Sequence, residues 1–325
     1  MARKSLFLIL VFLTWPLWQA VDAAAGGFEI LDSSTIVDQA GRKIAVNTPF
    51  RRIISLYGAH TENLFALGLT KEIIGVSPHE DFPPQAADKP VFSYHDDPEK
   101  FIAARPDLVL VRPMIDRGYP KFVSMLEQTG AAVVSLQPAT VDQMYTYWEI
   151  LGILTGKRDQ ALRLISRFQH TVSELKNVAD ARPDKKQVYF EAVHSKMKTF
   201  TPDSMAVFAL ETAGGINIAT DAEAVRNTNI AYYGKERILS HAAEIDVYLA
   251  QYGAMNRPTV AMIRNEAGFQ IIKAVKQNQI YIIAEQIVSR PTMRLLEGIS
   301  RIGRILYPND FDTKAAEILK RAERF

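Results

Sequence analysis

The pattern of apolar and polar positions changes character several times along the chain, and each change marks an element. Leu6 to Trp18 is almost unbroken apolar sequence, broken only by Thr14 and Pro16. Arg3 and Lys4 precede it, and Ala20, Ala23, Ala24 and Ala25 follow. A charged start, a short apolar stretch and small residues at its end are the layout of a cleavable signal peptide. The run is shorter than the ~20 residues of a membrane-spanning helix, which disfavours an uncleaved anchor. A signal segment is therefore expected over 1–24, cut near Ala23–Ala25. Beyond it, Thr35 to Val46 reads as a hairpin around Asp38-Gln39-Ala40-Gly41. Short apolar runs at 52–56, 73–76, 108–111 and 132–136 predict buried strands. Helically spaced segments at 61–67, 99–104 and 121–128 alternate with them, and 141–154 continues as helix.

Arg158 to Ala179 then predicts one long helix, with Ala161, Leu164, Ile165, Phe168, Val172 and Leu175 on a single face. A second alternation follows. Strands are expected at 188–192, 247–250 and 280–283, helices at 205–213 and 235–241, and a closing helix at 290–306. Strands alternating with helices imply α/β architecture with mainly parallel sheets. The pattern thus divides into an N-terminal α/β lobe (25–157), a linking helix (158–180) and a C-terminal α/β lobe (181–325), two similar Rossmann-like lobes. A helical connector is stiffer than a flexible loop and permits only modest motion between them.

Composition narrows the class. At 325 residues with 48% hydrophobic and 23% charged residues, the chain can bury a sizeable core, which excludes disorder as its main state. The net charge of +2 shows no basic footprint for nucleic acid. The absence of cysteine excludes disulfides, thiolate metal sites, a cysteine nucleophile and a lipid-modified N-terminal cysteine. A secreted protein without a lipid anchor fits the periplasm.

No nucleophile elbow, Walker loop, dinucleotide fingerprint or zinc-protease motif is present. His60, His79 and His95 all sit in loops after predicted strands, where they could converge at one rim. With Glu62 or Asp97 they form a candidate zinc or manganese set, against the plainer reading of polar loop residues around an organic ligand. A pair such as His79 and Asp81 would serve an enzyme as base and orienter. Tyr57, Tyr94, Tyr119, Tyr232, Tyr233 and Tyr252 fall in loops or at strand ends, as suits the walls of a cleft for a flat or apolar ligand. Arg112, Arg117, Arg226, Arg257 and Arg290 are similarly placed and could neutralise an anionic ligand.

The run Arg51-Arg52-Ile53-Ile54-Ser55-Leu56, then Thr61-Glu62 with Leu67-Gly68, then Ile74-Gly75-Val76-Ser77, resembles the opening of the substrate-binding proteins of iron-siderophore, haem and cobalamin ABC importers, the helical-backbone type. Val37 to Arg42, Asp81-Phe82-Pro83-Pro84 and Ala104 to Leu110 extend the likeness. The resemblance implies a ligand cleft between two lobes and no catalysis. It implies a ligand set of Tyr57, His60, His79, Tyr94, His95, Arg112, Asn229, Tyr232 and Arg290. Glu99 and Glu236 match the acidic residues that dock each lobe onto a permease dimer in the inner membrane. It further implies a monomer without an intrinsic cofactor, whose ligand is an iron or cobalt chelate. The tryptophan pattern of cobalamin binders is missing, since beyond the signal only Trp148 remains. The alternatives are a direct zinc or manganese carrier and an extracytoplasmic enzyme.

Overall fold

The computed structural model describes residues 27–225, 228–308 and 311–322; the expected signal segment and Arg226 lie outside the described residues. Strands β1 (Glu29–Ile30), β2 (Thr35–Val37) and β3 (Lys43–Ala45) form an antiparallel ribbon. Asp38 locks its turn. The buried carboxylate accepts from the Ala40, Arg42 and Ser135 backbone N–H groups and pairs with the Arg42 guanidinium at 2.7 Å. One residue thus ties the ribbon to the first lobe.

That lobe is built on β4 (Ile53–Ser55), β5 (Ile73–Val76), β6 (Leu108–Val111) and β7 (Ala132–Ser135), all parallel, in the order β5-β4-β6-β7. Every residue of β4 and β6 is buried. A sheet covered on both faces has no polar side, so these strands read as continuous apolar runs. Helices α1 (Gly58–Ala66), α2 (Pro98–Ala104), α3 (Pro113–Gly118) and α4 (Pro120–Gln128) connect them. Strand order reverses between β4 and β6, and such a reversal opens a crevice at the carboxyl ends of the two strands.

Helix α5 (Val141–Thr155) is capped by the Thr140 hydroxyl and stopped by Gly156 at φ 68°, a left-handed conformation that glycine adopts without strain. Helix α6 (Arg158–Asp180) follows and leads to the second sheet; its 23 residues span about 34 Å. The second sheet contains β8 (Gln187–Val193), β9 (Lys198–Phe200), β10 (Ile216–Asn217), β11 (Glu223–Ala224), β12 (Ile230–Tyr232), β13 (Val247–Tyr252) and β14 (Ile280–Ala284). Strands β8, β13 and β14 are parallel. Strands β9 and β12 are antiparallel additions beyond the simple α/β alternation.

Helices α7 (Met205–Thr212), α8 (Lys235–Ser240), α9 (Val260–Asn265), α10 (Lys273–Lys276), α11 (Glu285–Val288), α12 (Leu295–Leu306) and α13 (Phe311–Ala322) complete the chain. The closing helix expected from Arg290 begins instead at Leu295. Pro291 keeps Arg290 out of the helix, because the residue before a proline is driven out of helical geometry. Helices α12 and α13 pack on α6. One apolar core runs without a break from Ile53 and Leu64, through Trp148 and Phe168, to Phe190, Leu249 and Phe311. Among the described residues no helix is long and apolar enough to cross a membrane.

Candidate functional site

Both parallel sheets send their carboxyl ends toward one seam. Tyr57 and α1 follow β4, Arg112 follows β6, and Arg290 follows β14 and the short α11. Across the seam the Arg290 Nη1 lies 3.2 Å from Glu62 Oε1 on α1 and 3.8 Å from Glu80 Oε2. Arg294 reaches Glu62 at 3.7 Å and stacks its guanidinium 4.4 Å from the centre of the Phe82 ring. Gly58 makes the approach possible, since a Cβ there would collide with Arg290 Nη1 and Glu80 Oε2. Next to the ion pairs, the Pro291 carbonyl accepts from Asn63 Nδ2 at 2.8 Å and Trp148 Nε1 at 3.0 Å. The lobes are therefore fastened at a second place besides α6.

Three expected ligand residues meet here. The Arg112 guanidinium lies 4.7 Å over the Tyr57 ring, a cation–π contact. Burial pushes the Tyr57 hydroxyl up to about 12, opposed by the positive charges of Arg112 and Arg290, so the phenol is neutral. The Nε atoms of Arg112 and Arg290 are both buried and have no hydrogen-bond partner among the described residues. Unmet buried donors are costly, and an anionic group reaching these two guanidinium groups would find donors to accept from. Burial also raises the pKa values of Glu62 and Glu80, while Arg290 pulls both down.

His60 departs from the expected set. It is fully buried, with Nε2 3.2 Å from the Val111 carbonyl and Nδ1 2.7 Å from the Tyr147 hydroxyl. The carbonyl can only accept, so Nε2 carries the proton and Nδ1 accepts from Tyr147. Asn63 Nδ2 donates in turn to the Tyr147 oxygen at 3.3 Å. Burial depresses the imidazole to about 3. His60 is thus a neutral strut beneath the seam, its two nitrogens spent, and not a residue of the cleft surface.

The remaining candidates form a wider rim. Tyr94, His95 and Tyr119 stack together, with ring centres 4.2 Å apart for Tyr94 and His95 and 4.8 Å for Tyr94 and Tyr119. His79 is exposed, with φ 64°. Tyr232 is 56% exposed at the end of β12 beside Lys198, whose Nζ lies 4.4 Å from the ring centre. Lys198 follows the carboxyl end of β8, so Tyr232 is at the seam end of the sheet. Asn229 is at the other end of the same strand, where its carbonyl accepts from Thr201 N–H. Three residues of strand put it about 10 Å from Tyr232, away from the seam. Glu99 on α2 and Glu236 on α8 are exposed and join no ion pair among the described residues.

Two alternatives lose their geometry. Among the described residues no three His, Asp or Glu side chains gather where they could hold a metal ion, so His60, His79 and His95 do not form a joint site. His79 and Asp81 are both exposed and share no hydrogen bond, which leaves the base-and-orienter pair unassembled.

Sequence reading missed Glu80, Arg294, the partner of Trp148, and a buried cluster in the second lobe. In that cluster Glu191 Oε2 receives Tyr248 Oη at 2.5 Å and faces His194 Nδ1 at 2.8 Å. A hydrogen bond to Glu191 raises the His194 pKa. Glu80 stands between His79 and Asp81 in a polar stretch, so its charge gave no contrast that would mark it. No signal joins Trp148 to Pro291, 143 residues apart.

The periplasmic binding protein family matches residues 53–287. The chain is 23% identical over 282 residues to YvrC, an ABC transporter substrate-binding lipoprotein of Bacillus subtilis, covering 85% of this chain and 86% of that protein. It is 26% identical to the vitamin B12-binding protein of Vibrio campbellii, over 79% and 89% of the two chains. A crystal structure of a possible iron-binding, periplasmic solute-binding protein of Staphylococcus epidermidis superposes with a TM-score of 0.70 at 28% identity. The match covers 80% of this chain and all of that one.

Proposed function

The chain belongs to the periplasmic binding protein family, and from that premise we propose that it is the substrate-binding component of an ABC importer for a metal chelate, such as a ferric siderophore, haem or a cobalamin-type corrinoid. It holds the chelate between its lobes and hands it to the permease; it catalyses nothing and carries no cofactor of its own. The observation that supports this best is the seam itself. Carboxyl ends of the parallel strands of both sheets meet there, where Arg290 pairs with Glu62 across the seam and the Arg112 guanidinium lies over the Tyr57 ring. The vitamin B12-binding relative supports a chelate as cargo. A cleaved signal over 1–24 would export the protein to the periplasm, and we take it to act there as a monomer. Tyr57, Tyr94, His95, Arg112, Tyr232 and Arg290 face the ligand, with His79 at the margin.

An absorption spectrum with metal analysis of the protein purified from its native periplasm tests the cargo. A Soret band identifies haem, corrin bands with cobalt a cobamide, and iron with a charge-transfer band a siderophore. Stoichiometric zinc or manganese without chromophore refutes the chelate.

Glu99 and Glu236 dock the two lobes on the permease dimer. Charges on separate lobes set orientation and encounter rate. Replacing both (Glu99→Ala with Glu236→Ala) is expected to abolish uptake in cells while the chelate Kd of the purified protein stays within about twofold. A large loss of chelate affinity in the double variant refutes the docking roles.

A further inference from the structure

We propose that Glu80 is a built-in competitor of the ligand: it occupies Arg290 in the empty cleft and must leave when an anionic chelate arrives, so it sets the charge preference of the site. This rests on the chelate-binding reading above. Arg290 faces two carboxylates that are held differently. Glu62 sits within α1, nearly without exposure, and is shared by Arg290 and Arg294. Glu80 is almost as little exposed but sits outside any helix, in the segment between β5 and the turn at Pro84–Ala86. It is 3.8 Å from Arg290, looser than the 3.2 Å of Glu62, and its other oxygen takes the Ser77 hydroxyl at 2.5 Å. Glu80 also lines a pocket of about 370 Å³ with Ser77, His79 and Ala86, the side to which its carboxylate would turn from the seam.

Charge arithmetic makes the exchange selective. An anion arriving at Arg290 meets a carboxylate already there, and two like charges at that separation repel strongly in a partly buried site. A neutral chelate leaves the pair undisturbed. Glu80 therefore penalises anionic cargo, and removing its charge relieves the penalty for that cargo alone. Glu80→Gln keeps the shape and the contact with Ser77.

The test measures Kd of the wild type and the variant by equilibrium dialysis with four probes. Two are anionic, a trianionic ferric tricatecholate and haemin with its two carboxylates. Two are neutral overall, an uncharged ferric trihydroxamate and cyanocobalamin. Glu80→Gln is expected to tighten the anionic probe that binds by about tenfold and leave the neutral probes within about twofold. Where the wild type binds only a neutral probe, the variant is expected to gain measurable affinity for an anionic one. Unchanged or weakened anionic binding in the variant, with wild-type chelate binding intact, overturns the role of Glu80 and leaves the importer reading standing. Failure of both proteins to bind any of the four probes overturns the chelate reading and this inference with it. If Glu80→Gln does not fold, Glu80→Asp repeats the test, since the shorter side chain withdraws the charge from Arg290; anionic affinity no better than wild type again overturns the proposal.

Discussion

At the scale of single residues, two buried histidines push stability in opposite directions with pH. His60 is depressed to about 3 by burial, so the fold wants it neutral. Its contribution is fully present above the unfolded value near 6.5 and is lost as pH falls toward 3, in total roughly 5 kcal/mol. His194 is raised by its hydrogen bond to Glu191. Its contribution is fully present below the unfolded value and is lost as pH rises through the folded one. The variant His60→Gln separates the two. Urea unfolding at pH 7 is expected to show a loss of about 1–3 kcal/mol for the broken hydrogen bonds. Between pH 6.5 and 4 the variant should lose less further stability than the wild type; parallel losses would refute the assignment. The sequence placed Tyr57, Arg112 and Arg290 in the loops that meet at the seam, because strand–loop–helix alternation dictates where carboxyl ends lie. It misjudged His60, since a loop position says nothing of whether a side chain turns outward or inward onto Tyr147 and Val111.

At the scale of elements, the buried parallel strands were legible as continuous apolar runs and the long α6 by its periodic apolar face. The antiparallel β9 and β12 were not read from the sequence. Helix α12 begins later than its apolar pattern suggests, and Pro291 excludes Arg290 from it. The contact of α5 with α6 depends on Gly152. An added Cβ there would lie 2.8 Å from the Ala161 Cβ and 2.9 Å from the Arg158 Cα. Both obstacles are fixed to backbone, so neither can swing aside. Gly152→Ala is expected to cost about 1–3 kcal/mol in urea unfolding, despite the better helix propensity of alanine. A stabilised variant would show that the two helices can separate freely.

At the scale of the whole molecule, the lobes share one core and a second fastening at Arg290 and Pro291. Close-packed interiors resist continuous deformation, so wide opening would have to break both. Small-angle scattering with and without bound chelate is expected to change the radius of gyration by about 1 Å or less; a change of several ångströms would contradict the shared core. The hydrogen bond from Trp148 to Pro291 has an optical meaning. Trp148 is the only tryptophan among the described residues, fully buried, with its indole N–H committed to a carbonyl of the opposite lobe. Indole emission shifts with the polarity and hydrogen bonding around the ring. The protein thus carries its own fluorophore at the seam, where a change in the grip of one lobe on the other becomes a change in colour without any label.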